Sequence, residues 1–243
     1  MTDRRQPPKV GQLYGVGVGP GDPQLLTLKA YNLLREAPVV CVPQGNKNEA
    51  GFTWNIIKDL LKDNGKQEIL NLHFPMTHNT QELQKYWGQA TESIWQRLSQ
   101  GQDCVFVTEG DSLLYGTFVH VYRLIRERYP LVQIEIIPGI SSIMAAAARA
   151  QIPLADGDES VAILPATVNR ETLKIALLNF DTIVLLKVNR AINAILNLLR
   201  EFNLIDNAIF VSKVTSPEEE IISQVSQLEH RSIEYMSLII VRK

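Results

Sequence analysis

This chain contains few cysteines and has a net charge close to zero. Only two of its 243 residues are cysteines, Cys41 and Cys104, and each lies inside an apolar run with no C-x-x-C spacing. We therefore expect buried free thiols and no metal site rather than a disulfide framework or a cysteine-ligated metal. The formal net charge is −2, so no basic field favours nucleic acid or an anionic membrane as partner.

Long hydrophobic runs are missing as well. The most apolar stretches, such as residues 183–186 and 238–241, are far too short to span a bilayer. Residues 1–10 are polar and basic with no apolar segment after them, which predicts a flexible N-terminal tail and no signal peptide. We expect a cytoplasmic protein that needs no membrane.

Glycine is concentrated at the start of the chain, in the sequence GVGVGPGDP at residues 15–23. Glycine permits positive φ angles and close backbone approach. Asp22 predicts an N-cap, and Pro23 suits the first position of a helix. A dinucleotide-binding G-x-G-x-x-G is excluded because Pro20 or Asp22 stands where the third glycine belongs. A rigid loop that holds a small polar ligand is favoured, with a plain tight turn as the alternative.

Apolar runs and amphipathic segments alternate along the chain, which indicates an α/β fold. The first half has strand-like runs at 13–18, 39–42, 104–108 and 134–137, with helical segments at about 24–36, 52–63, 80–99 and 116–129. The second half has strands at 161–164, 182–188, 208–214 and 235–241 and an amphipathic helix at 190–202, while 218–228 is ambiguous. We predict mainly parallel sheets in two lobes, residues 11–150 and 151–243, with a ligand cleft between them.

Two more polar loops follow predicted strands, at residues 108–116 and 138–142. In a parallel sheet, both fall at the carboxyl edge, where such folds bind ligands. Helix capping is the simpler interpretation of either loop alone. A serine hydrolase is excluded at Ser112 because no Gly-x-Ser-x-Gly surrounds it. The four histidines have no metal-ligand spacing, and His78 alone lies in a loop-like stretch.

Three segments together resemble the tetrapyrrole methyltransferases, the S-adenosylmethionine-dependent enzymes that methylate corrins and porphyrins. They are GVGPGDPQLLTLKA at residues 17–30, EGD at 109–111 and PGIS at 138–141, in the order that the family has them. The second half continues the resemblance, so it covers nearly the whole chain. It implies two α/β lobes of the class III methyltransferase type, with the cofactor in the cleft between them.

The resemblance also implies a cofactor, a partner and a set of contacts. S-adenosylmethionine would be the methyl donor and S-adenosylhomocysteine the product, and the protein would be a homodimer. Lys187 stands where many relatives have methionine, and Ser112 where proline is common. The implied cofactor contacts are Pro20, Glu109, Gly110, Asp111, Leu114, Ser141, Ser142, Lys187 and Val214.

A further set of segments resembles the subgroup that methylates carbon 20 of precorrin-2, a macrocycle with many carboxylates. These segments are FPMT at 74–77, LADGDE at 154–159, LPAT at 164–167 and YMSLIIV at 235–241. Arg149, Arg190 and Lys213 are candidate partners for the substrate carboxylates, with solvated surface charge as the alternative. Asp111 is a weak candidate for a general base.

Several alternatives stay open on the sequence alone. The substrate could carry cobalt or be metal-free, and the methyl group could go to another position of the macrocycle. A related enzyme of RNA or protein is a further alternative. The fold could also serve as a cofactor- or tetrapyrrole-binding module without turnover.

Overall fold

Each half of the chain forms a five-stranded sheet with helices packed on it. The structure is a computed structural model and describes residues 10–45, 51–61, 66–75, 77 and 79–243. The predicted tail up to residue 9 and His78 lie outside the described residues. Two compact units divide the chain, one ending at Ser141 and the other spanning Ser142–Lys243.

The first unit contains an all-parallel sheet, as predicted. Its strands are β1 (Leu13–Gly17), β2 (Val39–Gln44), β3 (Glu68–His73), β4 (Cys104–Thr108) and β5 (Ile134–Ile137), in the order β3-β2-β4-β1-β5. Its helices are α1 (Leu28–Glu36), α2 (Phe52–Ile57), α3 (Thr80–Leu98) and α4 (Phe118–Arg128). Strand β3 was not predicted from the sequence.

Apolar side chains cover both faces of this sheet, which explains why its strands are continuous apolar runs. Phe106 of β4 packs in the cluster that includes side chains of α3 and α4. Val105 and Val107 point to the opposite face, where α1 and α2 contribute to a second cluster. Cys41 and Cys104 are both buried and free, so the predicted buried free thiols are confirmed.

The second unit contains a mixed sheet, in the order β6-β7-β10-β8-β9. Its strands are β6 (Val161–Pro165), β7 (Thr182–Leu186), β8 (Ala208–Ser212), β9 (Glu220–Ile222) and β10 (Ser237–Arg242), and its helices are α5 (Ser142–Ala150), α6 (Arg170–Asn179) and α7 (Ile192–Glu201). Only β6 and β7 pair in parallel; the other neighbours are antiparallel. The prediction of a mainly parallel sheet was therefore wrong here. No α-helix connects β8, β9 and β10, and parallel pairing needs a long crossover between strands.

Helix α5 belongs by its packing to the second unit. Ile143 and Ala146 are buried against Val184 of β7 and Val211 of β8. The division of the chain therefore falls before α5, whereas the sequence predicted a boundary after residue 150. Within the described ranges, no helix is long and apolar enough to cross a membrane.

Gly15 on β1 is a packing requirement of the first unit. A Cβ atom at this position would lie 2.2 Å from the ring of Phe118 on α4. Phe118 is completely buried and contacts Phe106, so the ring has little room to move. Gly15, the first of the alternate glycines, is therefore needed because any side chain there would overlap the ring of Phe118.

We expect Gly15→Ala to lower the free energy of unfolding by about 1–3 kcal/mol, because the new methyl group overpacks a filled core. Urea denaturation measures this change. Gly88→Ala is the matched control, since Gly88 lies inside α3 with no atom closer than 3.7 Å to the added methyl group. That substitution should stabilise the protein by up to about 1 kcal/mol. Equal effects of the two substitutions would contradict this account of Gly15.

Candidate functional site

Three loops meet at the carboxyl edge of the first sheet because they follow neighbouring strands. They follow β1, β4 and β5, and β1 lies between the other two strands. The Val18 amide donates to the Thr108 carbonyl at 2.9 Å, which continues the ladder past the strand ends. The amide of Gly19 donates to the Gly110 carbonyl at 3.3 Å, and the Gly110 amide donates to the Gly19 carbonyl at 2.7 Å. The first two loops are therefore joined by their backbones.

Glycine is required where these loops touch. A Cβ at Gly139 would lie 2.2 Å from the Gly110 carbonyl oxygen, and one at Gly17 would lie 2.6 Å from the same atom. Gly19 and Gly110 have φ angles of 81° and 63°, a region that glycine enters at little cost. The predicted need for glycine is confirmed, by space at Gly17 and by positive φ at Gly19.

Asp111 joins the second loop to the third. One carboxylate oxygen accepts from the Leu113 amide at 2.9 Å, and the other accepts from the Gly139 amide at 3.1 Å. Both oxygens therefore hold backbone donors, one on its own loop and one on the loop after β5. Hydrogen bonds to a charged acceptor are stronger than neutral ones, so this contact fixes the edge.

Glu109 precedes Asp111 by two residues and has a different environment. Its side chain is partly buried, and no described residue donates a hydrogen bond or forms an ion pair to its carboxylate. Removal from water raises the pKa of Glu109 to about 7, because burial disfavours the charged form. Near neutral pH, this carboxyl group can therefore take up or release a proton.

The remaining predicted contacts of the first unit surround these loops. Pro20 is buried in the loop after β1, where Asp22 caps the following turn by accepting from the Gln24 amide at 2.8 Å. Pro23 is the first residue of that turn, so the predicted capping is confirmed. Ser141 is partly buried at the end of the third loop. Four apolar side chains of the second and third loops are exposed: Leu113, Leu114, Tyr115 and Ile140.

The other predicted cofactor contacts lie in the second unit. Ser142 is the first residue of α5. Lys187 follows β7 in a left-handed conformation, with φ 59° and ψ 40°. The side chain of Val214 is buried in the apolar cluster around Val211, so only its backbone can face a ligand.

The cations predicted to bind substrate carboxylates include two that are held by glutamates. Arg149 on α5 binds Glu219 through two nitrogens, at 2.8 Å from Nε and 2.6 Å from Nη2. This pairing lowers the pKa of Glu219. Lys213 pairs with Glu218 and, at 2.7 Å, with Glu234, and both contacts raise its pKa. Arg190 is exposed on the turn after β7.

Comparison with known proteins identifies the family. The family model for tetrapyrrole (corrin/porphyrin) methylases matches residues 12–229, which is most of the chain. The protein is a tetrapyrrole methylase. The resemblance carried by the three loops is therefore confirmed, and the joined glycine loops belong to a fold of this family.

Two curated relatives of this methylase align over nearly their whole length. The “Probable cobalt-precorrin-2 C(20)-methyltransferase” of Methanocaldococcus jannaschii is 36% identical over 96% of this chain and 97% of the relative. The “Precorrin-2 C(20)-methyltransferase” of a Sinorhizobium species is 29% identical over 96% of this chain and 95% of the relative. Both names refer to the same macrocycle carbon, and they differ in the metal.

A solved structure shares the fold of this methylase. A cobalt precorrin-4 methyltransferase superposes with a TM-score of 0.71 at 26% identity, over 95% of this chain and 94% of that structure. The predicted pair of α/β lobes is confirmed by this likeness. Among the described residues of the methylase, no three His, Cys, Asp or Glu side chains are grouped in a way that would hold a metal ion.

Sequence reasoning did not distinguish the two acids of the second loop. It named Asp111 as the weak candidate for a base; in the structure Asp111 holds two backbone amides, whereas no described residue donates to the carboxyl group of Glu109. No signal in the sequence separates them, because the difference lies in which backbone amides reach each side chain. Only the positions of Leu113 and Gly139 in space reveal it.

Glu109→Gln should raise the stability of the methylase at alkaline pH. The folded-state pKa lies above the unfolded value, so ionisation of Glu109 costs stability as the pH rises through about 7. We expect the variant to gain about 1–3 kcal/mol at pH 8 and nothing at pH 4, after allowance for the exposed part of the group. Denaturation at the two pH values measures this difference. A variant that is less stable at pH 8 would contradict the assignment of an unpaired carboxylate.

Arg149→Gln tests whether the pair with Glu219 stabilises the second unit. Glu219 is only 12% exposed, so the substitution leaves a buried carboxylate without its cation. We expect the Tm at pH 7 to fall by roughly 2–4 °C. Because the pKa of Glu219 is lowered from its ordinary value of 4.5, this loss should shrink as the pH falls below 4.5 and disappear once Glu219 is protonated in the folded state.

Arg200→Gln is the matched control for Arg149→Gln, since it breaks an exposed pair with Glu229. Exposed pairs contribute little, so the Tm should hardly change. Equal Tm values of wild type and Arg149→Gln at pH 7 would show that the Arg149–Glu219 pair does not stabilise the folded protein.

Proposed function

We propose that this protein transfers a methyl group from S-adenosylmethionine to carbon 20 of a precorrin-2 macrocycle in cobalamin biosynthesis. The single observation that carries the proposal is the pair of relatives named for this position. Their identities of 36% and 29% each extend over 96% of the chain, so both units contribute to the likeness. The product from the metal-free substrate is precorrin-3A.

Cobalt-containing precorrin-2 is a second candidate substrate, because the sequence identity is higher to the relative named for it. The relative named for cobalt-precorrin-2 is 36% identical, and the one named for metal-free precorrin-2 is 29% identical. The two substrates have nearly the same outline and the same carboxylates. The choice between them is therefore left to the assay below.

The chemistry of methyl transfer suits a site built to position its ligands. A sulfonium methyl group is already electrophilic, so the protein needs to align the attacking carbon behind it at about 3–3.5 Å and exclude water. The three joined loops supply a fixed edge for this task. The exposed Leu113, Leu114 and Tyr115 offer apolar surface to an adenine ring.

We assign the donor contacts to the residues predicted from the sequence. In the first unit these are Pro20, Glu109, Gly110, Asp111, Leu114 and Ser141, and in the second unit they are Ser142, Lys187 and Val214. Val214 contributes through its backbone, because its side chain is buried. The left-handed backbone at Lys187 re-aims the chain directly after β7. A non-glycine residue in this conformation carries strain, and such strain is typical of functional sites.

Arg149, Arg190 and Lys213 are proposed to face the substrate carboxylates. Arg149 and Lys213 already hold glutamates, so a substrate carboxylate exchanges with an internal one. Arg190 is exposed on the turn after β7. The protein is further proposed to act as a homodimer in the cytoplasm. The family resemblance supports the dimer, and the free thiols of Cys41 and Cys104 agree with a reducing compartment.

The assay uses purified protein, S-adenosylmethionine and anaerobically prepared precorrin-2, with and without inserted cobalt. Mass spectrometry counts the added methyl groups, and carbon NMR locates them. One new methyl group at carbon 20 is the expected result, and the faster substrate identifies the metal state. Donor binding without methylation of either macrocycle would refute the function and leave the family membership intact.

Asp111→Ala should weaken donor binding by at least about tenfold, since it frees the Leu113 and Gly139 amides and loosens two loops. Asp111→Asn keeps one acceptor oxygen and should lose less. Calorimetric titration with S-adenosylhomocysteine measures both. Glu127→Gln, which removes an exposed carboxylate from α4, is the control with unchanged affinity. Wild-type affinity in Asp111→Ala would contradict the role of this loop contact.

A further inference from the structure

The methylated carbon must lose a proton, and the second loop contains two carboxyl groups that differ in their partners. We propose that Glu109, rather than Asp111, accepts this proton. The inference rests on the proposed function, because the reaction there replaces a hydrogen of the macrocycle by a methyl group. It assigns Glu109 a catalytic role in addition to any contact with the methyl donor.

The step balances without any further reactant. An electron pair of the macrocycle forms the new carbon–carbon bond, and the carbon–sulfur bond pair leaves with sulfur as S-adenosylhomocysteine. The substituted carbon then carries both hydrogen and methyl, and the macrocycle carries the positive charge. The carbon–hydrogen bond pair returns to the ring as the proton moves to the Glu109 carboxylate. The neutral acid releases this proton to solvent after product has left.

Asp111 has a structural role, because its carboxylate holds two loops together. Its two oxygens accept from Leu113 and Gly139, so protonation at either oxygen would cost a hydrogen bond that joins the loops. The Gly139 amide is partly buried, so losing its acceptor costs free energy. A base that takes up a proton in every turnover would therefore loosen the edge each time if it were Asp111.

Glu109 can change its protonation state without such a cost. No described residue donates to its carboxylate, so protonation breaks no contact. Its backbone is nevertheless fixed on both sides. The Thr108 carbonyl accepts from Val18, and the Gly110 amide donates to Gly19. The carboxylate is thus attached to a rigid part of the edge, as a base needs to be for proton transfer.

The protonation equilibrium of Glu109 is set by burial alone. The charged side chains on the neighbouring elements are Asp22 after β1, Asp111 on the loop itself, Glu135 on β5, and Lys29, Arg35 and Glu36 on α1. None of them contributes to the shift, and desolvation brings the pKa to about 7. A base with a pKa close to the working pH combines a useful ionised fraction with a useful affinity for the proton.

The described histidines do not compete for this role. His120 on α4 is stacked on Trp87 with ring centres 3.7 Å apart, and His73 packs edge-on against Tyr86. His230 follows a short turn of the second unit. None of the three belongs to the joined loops.

The proposal is tested by single-turnover reactions of the full-length protein from pH 5.5 to 9, in which the measured rate is that of formation of the final, deprotonated macrocycle. The wild-type rate should rise with pH through about 7 and then level off, because the ionised carboxylate is the active form. In Glu109→Gln, this rise should disappear and the rate at pH 8 should fall about 100-fold or more. Glu109→Asp should recover part of the rate, and Glu127→Gln should match wild type.

Deuterium at the reacting carbon supplies a readout that a structural role would not change. If Glu109 removes this proton, proton loss becomes slow in Glu109→Gln, and the primary isotope effect becomes larger than in wild type. S-adenosylhomocysteine should then appear before the final macrocycle spectrum. Calorimetry with S-adenosylhomocysteine at pH 8 measures any donor contact that Glu109→Gln loses, and the larger isotope effect should remain when S-adenosylmethionine is saturating.

Three results would overturn the proposal. One is a Glu109→Gln variant that keeps the wild-type rate and pH profile. Another is a loss of rate explained by a matching loss of donor affinity, without a larger isotope effect. The third is a carbon-13 titration of the Glu109 carboxyl with a midpoint near 4.5, the ordinary value.

Failure of the proposed function gives a different pattern. A methyl group on another carbon refutes the carbon-20 assignment, and the same comparison of rates and isotope effects on that product still decides the role of Glu109. If wild type methylates neither macrocycle, the function fails and the titration of Glu109 decides whether a proton-accepting group is present.

Discussion

The backbone contact between Gly17, Gly110 and Gly139 is the constraint on which the candidate site depends. A single added carbon at Gly139 would lie 2.2 Å from the Gly110 carbonyl oxygen, so the loops can meet only where side chains are missing. Hydrophobic burial places the three strands beside one another but does not by itself set where their loops lie. The hydrogen bonds from Val18 to Thr108 and between Gly19 and Gly110 set that position.

This constraint explains how the carboxyl edge of the first sheet can hold the carboxylate of Glu109. An unpaired, partly buried carboxylate is unfavourable, and a mobile loop would turn it towards water. Here the residues on both sides are held by main-chain hydrogen bonds, and Asp111 ties the same loop to Gly139. The loop is therefore stabilised by contacts in which Glu109 takes no part. The two acids of this tripeptide therefore differ in their contacts, because Asp111 accepts from two backbone amides and no described residue donates to Glu109.

Much of the first unit could be predicted because its strands and caps are determined by residues that are close together in the sequence. Apolar runs bounded by glycine, proline or aspartate marked β1, β2, β4 and β5, and the capping by Asp22 followed from residue types alone. Strand β3 was missed because it is a partly buried edge strand that includes the polar Glu68 and Asn71. The mixed sheet of the second unit was missed because strand direction depends on pairing between residues far apart, such as Ile240 with Ile209.

The ion pairs of the second unit also depend on residues far apart in the chain, and they affect how a substrate with carboxylates would bind. The sequence marked Arg149 as a cation for substrate carboxylates but gave no sign of Glu219, which lies 70 residues further along the chain. With Arg149 and Lys213 both held by glutamates, replacing an internal carboxylate by a substrate carboxylate leaves the number of ion pairs unchanged. The gain in binding then depends on geometry and on which glutamate is released, since Glu218 and Glu234 beside Lys213 are exposed and Glu219 beside Arg149 is mostly buried. A polyanionic ligand can therefore be selected by shape, and a chain with a net charge of −2 needs no basic surface to bind one.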